Sequence, residues 1–497
     1  MNGKKETKNL IISFNYCSIL TYQFNNRFRA LILAGIILRL VILLLPFDVI
    51  FSRWGSDDLY YYSQIAGRFS EIHFFTFDGI APTNGFQPFF MFLLIPFGGA
   101  MLNDVQSSLR IILGIVSILT IVTAFQIPKL FKDYGLNSQL ALIASGLFLL
   151  HPKILSVTFN GTEAALSFLM IILSLRALQW IKEGKRLFLS TLIFSGLILT
   201  RMDFSILLFL LFITGLVQRH SLIDWIKVLV LPTILFGTWL AINYYYFDCI
   251  IPSSGVSKSR LTTVLDINYF RLWLSTYSTA MMSESKLSIT VFALCALGSL
   301  YAFKQKAFQY KRYVFYMFGL SAICGLIPIL SIGYFRDWYL ILHFILILFL
   351  GSLGIYFVLQ KTKYKIAIYL LIIVGLWTEA QYTQRKFNGS QIVEACLQFE
   401  RKIPKEVKVG SFNAGIVNCV IDNHTVINLD GVVNSTILEY FVDKNIQSYF
   451  ERYDIRYIID NKSSIEYFLN NYSDQQKWVI VDQFSTDTQE WVLVSLP

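Results

Sequence analysis

Two adjacent carboxylates, Asp57 and Asp58, are the residues of this chain whose type and spacing best fit catalysis. They follow the first membrane-length apolar segment, where an acidic pair is costly to hold and usually serves a function. A carboxylate in a partly desolvated pocket gains basicity and can take a proton from an attacking hydroxyl. The neighbouring Tyr60 and Tyr61 could stack on a ring-shaped substrate. The structural alternative is that the pair caps a helix beginning near Leu59, because Asp is a favoured N-cap.

Three cations further along the chain, Arg201, Lys258 and Arg336, could neutralise the charge that develops on a phosphate leaving group. Each also has a structural explanation. Arg201 could pair with Asp203 across a tight turn, and Lys258 could be a solvated loop charge. Arg336 could pair with Asp337 or bind phospholipid headgroups. The sequence leaves these alternatives open.

Other polar residues lie near turns and helix starts. The segment 77–88 contains the turn dipeptides Asp-Gly and Asn-Gly, and it is either a structured loop or a substrate contact. Glu163 either binds substrate or is a first-turn acid favoured by the helix dipole. The predicted substrate-binding residues are therefore Tyr60, Tyr61, Asn84, Gln87, Glu163, Arg201, Asp203, Lys258 and Arg336.

Several classes of function are excluded by the sequence. It contains no P-loop, no Gly-x-Ser-x-Gly, no His-Glu-x-x-His and no dinucleotide fingerprint, so no site for cytoplasmic ATP or a dinucleotide is predicted. The net charge of +10 does not indicate nucleic-acid binding, because much of the Lys and Arg lies in short loops between apolar runs. The six cysteines show no metal-ligand spacing, although Cys396 and Cys419 could pair.

The composition is that of a polytopic membrane protein. Of the 497 residues, 55% are hydrophobic and 15% are charged, whereas a soluble domain is about a quarter charged. A helix needs about 20 apolar residues to cross the hydrocarbon core. About eleven transmembrane helices are predicted, near 29–48, 107–127, 138–156, 161–181, 187–201, 203–218, 228–247, 287–303, 314–332, 338–359 and 366–382.

The segment 86–102 decides the topology. It is apolar but broken by Pro and Gly, and such a segment is tolerated at membrane depth when packed in protein. If it does not cross, the basic N-terminus and the Lys- and Arg-rich loops share the cytoplasmic side, as the positive-inside rule requires. All the candidate site residues then share the external face.

Three regions follow from this topology. Residues 1–28 are predicted as a cytoplasmic N-terminal segment without a cleavable signal, so the first span is an uncleaved anchor. Residues 29–387 are predicted as the transmembrane catalytic domain, with the acidic pair in the external loop 49–106. Residues 388–497 are predicted as a small extracytoplasmic α/β domain. Its strands are predicted near 408–412, 425–429, 456–460, 478–481 and 490–494, and its helices at 436–452 and 464–471.

At these residues the chain resembles the GT-C superfamily of membrane glycosyltransferases, which includes the protein O-mannosyltransferases, lipid A aminoarabinose transferases and bacterial lipopolysaccharide-core transferases. Those enzymes carry an acidic pair followed by aromatic residues in the first external loop. The chain is closer still to bacterial members with a DDxYYY…FDG…PTNGFxP pattern, which residues 57–88 match here. The remaining similar segments are Gly161-Thr162-Glu163-Ala164, Arg201-Met202-Asp203, Pro252-Ser253-Ser254…Lys258, Asn413-Ala414-Gly415 and Asn428-Leu429-Asp430-Gly431.

The resemblance implies an inverting sugar transfer at the external face. The donor would be a polyprenyl-phosphate sugar, and the acceptor a cell-envelope glycan, lipid or protein. Asp57 would be the general base, and Asp58 would position it or hold a divalent cation, Mg²⁺ or Mn²⁺. The Arg that follows the acidic pair in the aminoarabinose transferases is absent here, so another cation must contact the phosphate.

The main alternative is a transporter or polymerase of lipid-linked oligosaccharides. Such a protein would also have many spans and external charges, but it more often places charged residues deep within its spans. Here Arg39 and Arg176 are the main charges inside apolar runs, and no inverted second half is evident. The sequence therefore favours the transferase.

Overall fold

The computed structural model describes residues 26–102, 104–247, 249–260, 337–361, 389–421, 423–472, 478–487 and 489–496, and a few residues between 296 and 320. The first part is helical. Its helices are α1 Asn26–Leu44, α2 Phe47–Trp54, α3 Asp57–Ile72, α4 Pro88–Leu94, α5 Gly98–Met101, α6 Val105–Asp133, α7 Ser138–Leu150, α8 Pro152–Thr158, α9 Ala164–Lys182, α10 Leu187–Thr200, α11 Phe204–Val217, α12 Leu222–Phe247 and α13 Ser253–Arg260. A 3-10 turn, Asp337–Leu340, leads into the helix Ile341–Lys361.

Four described helices are long and apolar enough to cross a membrane: α6, α9, α12 and Ile341–Leu359. They coincide with four predicted spans. A fifth predicted span, 138–156, is broken into α7 and α8, which meet at an angle of 61°. The break has a local cause, because Pro152 cannot donate a backbone hydrogen bond. His151 caps the second piece, its Nδ1 accepting from the amide of Lys153 at 3.2 Å.

Two predicted spans are shorter in the structure than a bilayer requires. α10 and α11 have 14 residues each, or about 21 Å of helix, whereas the hydrocarbon core is about 30 Å thick. The predicted spans at 287–303, 314–332 and 366–382 lie outside the described residues, apart from a few positions. The count of eleven therefore stays a prediction.

The broken apolar segment forms short pieces, as its Pro and Gly content predicts. α4, a 3-10 turn Ile95–Phe97 and α5 follow one another over 14 residues, which is too short to cross the hydrocarbon core. The segment packs against α3, and Leu94 and Met101 are buried there. This geometry agrees with a segment that does not cross.

The described part of the tail contains a small sheet with helices around it. Its strands are β1 Lys408–Ser411, β2 Val426–Asn428, β3 Ile455–Asn461, β4 Val479–Ser485 and β5 Glu490–Ser495. They form one sheet in the order β2-β1-β3-β5-β4, with β1, β2 and β3 parallel and β5 antiparallel to both β3 and β4. The helices are Gly389–Glu400, Ala414–Val420, Ile437–Val442, Ile446–Tyr453 and Lys462–Tyr472.

Three details of the tail differ from the expectation. The helix predicted at 436–452 is two helices, interrupted around Lys444, which has a positive φ of 51°. The helices Gly389–Glu400 and Ala414–Val420 were not predicted. Cys396 and Cys419 are both free thiols, so the disulfide considered from the sequence is not formed.

Candidate active site

The acidic pair opens helix α3. Ser56 occupies the N-cap position, so the suggestion that an Asp caps this helix is wrong: Asp57 and Asp58 form its first turn. The backbone amide and the hydroxyl of Ser56 both donate to the carbonyl oxygen of Asn160, at 3.3 and 3.0 Å. The start of α3 is thereby fixed to the loop that precedes α9.

Asp58 lies on the wall of a polar pocket at the N-terminal end of α3. The pocket is open to solvent, and its empty space, including the part outside its mouth, is about 480 Å³. It lies where α3, the loop before α4, the N-terminus of α9, α13 and the tail meet. Its lining residues are Asp58, Tyr61, Tyr62, Ile65, Gly85, Phe86, Gln87, Glu163, Arg201, Ser254, Tyr339 and Val432.

Opposite charges meet in this pocket at Glu163 and Arg201. Arg201 Nη1 lies 2.8 Å from Glu163 Oε1, and both side chains are buried. Tyr62 donates to the other carboxylate oxygen of Glu163 at 3.0 Å. Burial raises the pKa of the Glu163 carboxyl, and the Arg201 cation opposes this shift. Tyr339 places its ring 4.7 Å below the guanidinium carbon of Arg201.

Arg201 also makes the salt bridge with Asp203 that the sequence suggested. Its Nε and Nη2 donate to the two oxygens of Asp203, each at 3.1 Å. The guanidinium is thus shared between two carboxylates, Glu163 and Asp203. Its charge is already balanced inside the protein, which leaves little of it for a phosphate.

Asp57 points in a different direction from Asp58. It is partly exposed and does not line the pocket. Its Oδ1 accepts a hydrogen bond of 2.7 Å from the backbone amide of Ile416 in the tail. Burial is the main cause that raises the pKa of Asp57 to about 7. Asp57 therefore joins two parts of the chain, and Asp58 faces the cavity.

Asn84 and Gln87 lie on the loop before α4. Asn84 Oδ1 accepts from the amide of Ser253 at 2.9 Å, which holds α13 against this loop. Gln87 lines the pocket, and its buried Oε1 has no hydrogen-bond partner among the described residues. Of the two, Gln87 is thus the one placed to meet a ligand.

The remaining predicted residues divide by location. Tyr60 packs against Phe51 in the core, with ring centroids 5.4 Å apart, and does not line the pocket. Its expected role in substrate binding has no support from this position, because the turn of α3 directs its ring toward Phe51. Lys258 lies on α13, but its side chain is outside the described residues, as is the whole of Arg336.

Seven lining residues were not among the predicted site residues: Tyr62, Ile65, Gly85, Phe86, Ser254, Tyr339 and Val432. Ser254 and Val432 lie within or next to segments already quoted for the resemblance, so that pattern could have indicated them. Tyr339 has no such signal in the sequence.

The described residues do not fit a bound divalent cation. They contain no cluster of three His, Cys, Asp or Glu side chains that could hold a metal. Both oxygens of Glu163 are engaged by Arg201 and Tyr62, which leaves Asp58 as the free carboxylate on the described pocket wall. We therefore assign no step to a metal.

The chain matches no known family model and no curated protein sequence. Its structure is similar to that of the oligosaccharyltransferase AglB from Archaeoglobus fulgidus, solved with an inhibitory peptide and a dolichol-phosphate. The TM-score is 0.58 at 11% identity, covering 90% of this chain and 70% of AglB. A related crystal structure of that enzyme, with Zn and sulfate, matches at a TM-score of 0.53 and 11% identity, covering 90% and 70% of the two chains.

The structure is also similar to that of ArnT from Cupriavidus metallidurans bound to undecaprenyl phosphate. The TM-score is 0.56 at 10% identity, covering 94% of this chain and 98% of ArnT. Identities this low establish the fold alone. The protein shares its fold with AglB and ArnT, and this likeness supports, at the level of the fold, the resemblance to GT-C membrane glycosyltransferases seen in the sequence.

Proposed function

We propose that the protein is a membrane glycosyltransferase that moves a sugar from a polyprenyl-phosphate donor to an extracytoplasmic acceptor hydroxyl, with inversion at the anomeric carbon. The observation that carries the proposal is the position of Asp58. This carboxylate lies on the wall of a polar pocket, beside the Glu163–Arg201 pair, in a GT-C fold. Both compared proteins were solved with a polyprenyl phosphate.

Asp58 takes the role of general base in this proposal, instead of Asp57. A general base must come within hydrogen-bond reach of the proton that it removes. Asp58 faces the cavity in which an acceptor could lie, whereas Asp57 does not line it and already accepts from Ile416. We therefore propose Asp58 as the base in place of Asp57, which the order of the motif suggests.

The reaction needs one displacement. The acceptor oxygen bonds to the anomeric carbon while Asp58 removes its proton. The bond from that carbon to the phosphate oxygen breaks, and polyprenyl phosphate leaves with the electron pair. Because phosphate is a good leaving group, no second acid is required, and a single displacement inverts the anomeric carbon.

The charge of the leaving phosphate must be neutralised by cations. Arg201 is already balanced by two carboxylates. We therefore assign this role to Lys258, on α13 near the pocket residue Ser254, and to Arg336, which directly precedes the turn that carries Tyr339. The active site faces the outside of the cell in this proposal, and the tail is extracytoplasmic.

The test is transfer by the purified protein in lipid nanodiscs. A panel of polyprenyl-phosphate sugars is supplied with a cell-envelope extract, and mass spectrometry follows donor loss and product mass. Asp58→Asn is compared with Glu183→Gln, an exposed carboxylate 20 positions from Glu163. Loss of a general base typically lowers kcat by about 10²–10⁴-fold, so we expect that loss for Asp58→Asn and wild-type turnover for Glu183→Gln.

Two results would contradict the proposal. Equal turnover by wild type and Asp58→Asn would remove the base from Asp58. No donor consumption by wild type across the panel would favour the transporter or polymerase of lipid-linked oligosaccharides.

A further inference from the structure

The tail meets the membrane domain through the carboxyl ends of its parallel strands. The helix Ala414–Val420, which follows β1, gives the amide of Ile416 in its first turn to Asp57. Asn428, the last residue of β2, donates its side-chain amide to the hydroxyl of Tyr61 at 3.0 Å. These contacts join positions more than 350 residues apart in sequence, and both end on the first two turns of α3.

A second set of contacts ties the tail to α13. The hydroxyl of Ser253 donates to the carbonyl oxygen of Val432 at 2.9 Å, and Ser257 donates to the carbonyl oxygen of Asp430. Val432 is itself a wall of the pocket. The tail thus contributes a surface of the candidate active site and contacts the helix that carries Asp58.

Within the tail, the buried Asp460 on β3 shapes the contacting turn. Its Oδ2 accepts from the hydroxyl of Ser411 and from the backbone amides of Phe412 and Asn413, at 2.9, 2.8 and 2.7 Å. Its Oδ1 accepts from the side chain of Asn413 at 2.7 Å. A buried carboxylate with this many donors fixes the backbone that leads directly to Ile416.

We propose that Asp57 is a positioning residue that docks the C-terminal domain onto α3, and that Asp460 preorganises the docking turn, so that the pocket is complete only in the docked state. The proposal rests on the assignment of Asp58 as the base. Asp57 precedes Asp58 in the first turn of α3, so a hydrogen bond that fixes one backbone position also fixes the next. Catalytic groups must be held to about 0.5 Å of their working geometry, and docking supplies that restraint.

Gly415 allows a variant that disturbs docking alone. A Cβ built on Gly415 would lie 2.8 Å from Asp57 Oδ1, closer than real Cβ atoms approach a neighbour. Gly415 lies in the helix Ala414–Val420, where alanine is the better helix former. Gly415→Ala should therefore keep the tail folded and push it away from α3. Gly114→Ala in α6 is the matched control, because its added Cβ meets nothing within 4 Å.

The experiment combines hydrogen exchange with kinetics on the full-length protein in nanodiscs. The backbone amides of residues 413–421 report docking, and those of β5 report that the tail is folded. For Gly415→Ala and Asp57→Ala we expect exchange in 413–421 to rise at least about tenfold while β5 stays protected. Asp57→Asn keeps an acceptor oxygen, so its amides in 413–421 should exchange more slowly than those of Asp57→Ala.

Turnover separates docking from a merely structural role. A displaced base lowers kcat, so we expect kcat to fall by about tenfold or more in Gly415→Ala, with the donor KM within about threefold of wild type. Asp58→Asn should lose turnover and keep wild-type exchange in 413–421. Wild-type exchange and wild-type kcat in both Gly415→Ala and Asp57→Ala would overturn the proposal.

The exchange measurement does not depend on knowing the substrates. If wild type transfers no sugar, the proposed function fails, and the 413–421 peptides still report whether Asp57 docks the tail. If β5 also loses protection in Asp57→Ala, the tail of that variant is unfolded and it does not test docking. Exchange of the 413–421 peptides in Gly415→Ala and Asp460→Asn then decides the result.

Discussion

Asp57 and Asp58 carry the same side chain, and their surroundings separate their chemistry. Asp58 faces the open pocket, whereas Asp57 does not line it and accepts from a backbone amide of the tail. Two neighbouring acids held in different environments take different roles. The motif alone could not distinguish them, because the partner of Asp57 lies 359 positions away in sequence.

Titration of Asp57 should be visible in protein stability. Burial holds the pKa of this carboxyl at about 7, against 3.8 in the unfolded chain. Between about pH 4 and pH 7 the folded protein therefore binds a proton that the unfolded chain releases, so this group's contribution to stability falls as pH rises through that range. Above pH 7 its contribution is constant.

The measurement is the thermal unfolding midpoint of wild type and Asp57→Asn between pH 5 and pH 8. The thermal midpoint of wild type minus that of the variant should decrease as pH rises to about 7 and then stay constant. Tyr61, Asp58 and Asp430 also face Asp57, and they are present in both proteins. A difference that does not change with pH would contradict the prediction.

Glu163→Gln should destabilise the protein and also lower its turnover. Removing one partner of a buried ion pair typically costs about 3–5 kcal/mol. Arg201 keeps Asp203 as a partner, so we expect a smaller loss, about 2 kcal/mol, seen as a lower thermal midpoint. Glu183→Gln, which breaks only an exposed pair, is the control and should unfold as wild type does. Equal midpoints for the two variants would show that the buried pair contributes no stability.

At the scale of elements, one glycine sets the spacing between α3 and α9. Gly161 has a positive φ of 80°, and an added Cβ would overlap Leu59 on α3. Its neighbour Asn160 accepts both hydrogen bonds from Ser56. The turn before α9 therefore fixes the start of α3, the helix that carries the proposed base Asp58.

Gly161→Ala should lower kcat although the residue does not line the pocket. The added Cβ meets Leu59 in a backbone conformation that costs about 1 kcal/mol or more for an L side chain. The start of α3 must then move, and Asp58 with it. We expect at least about a tenfold loss of kcat, measured beside Gly114→Ala. Full activity would mean that this spacing does not matter for transfer.

Local sequence signals predicted most elements. All five tail strands were found where alternating apolar residues predicted them. The break between α7 and α8 could not be placed within the span 138–156 from hydropathy alone, since both pieces are apolar and one proline at 152 divides them. The N-cap of α3 was placed wrongly, because Ser56 and the two acids are all good capping residues and the choice depends on Asn160.

At the scale of the whole molecule, the predicted topology can be tested by labelling. Asp443→Cys places a thiol on an exposed position of the tail, and Lys185→Cys places one in the exposed loop between α9 and α10. Positive-inside loops predict opposite sides for these two positions. In intact cells, a membrane-impermeant maleimide should label the first variant and not the second. The labelling of the unsubstituted protein is subtracted from that of each variant. Labelling of both or of neither would contradict the topology.

Hydropathy and charge predicted the class of the protein but not its assembly. The two tail segments quoted for the resemblance, Asn413-Ala414-Gly415 and Asn428-Leu429-Asp430-Gly431, are those that meet α3 and α13. Nothing in their composition indicates which surface they contact. Long-range contacts of this kind depend on the closure of the whole fold, so a single sequence could not place them.

The hydrogen bond between Asp57 and Ile416 does not depend on how far the protein is diluted. Both partners belong to one chain, so their effective concentration is set by the connection between them and does not change with protein concentration. Modest polar contacts, with the apolar packing of the helix Gly389–Glu400 on α2, are then enough to keep the two parts together. If the chain were cut within residues 362–388, the same contacts would become bimolecular, and transfer would depend on the concentration of the released tail.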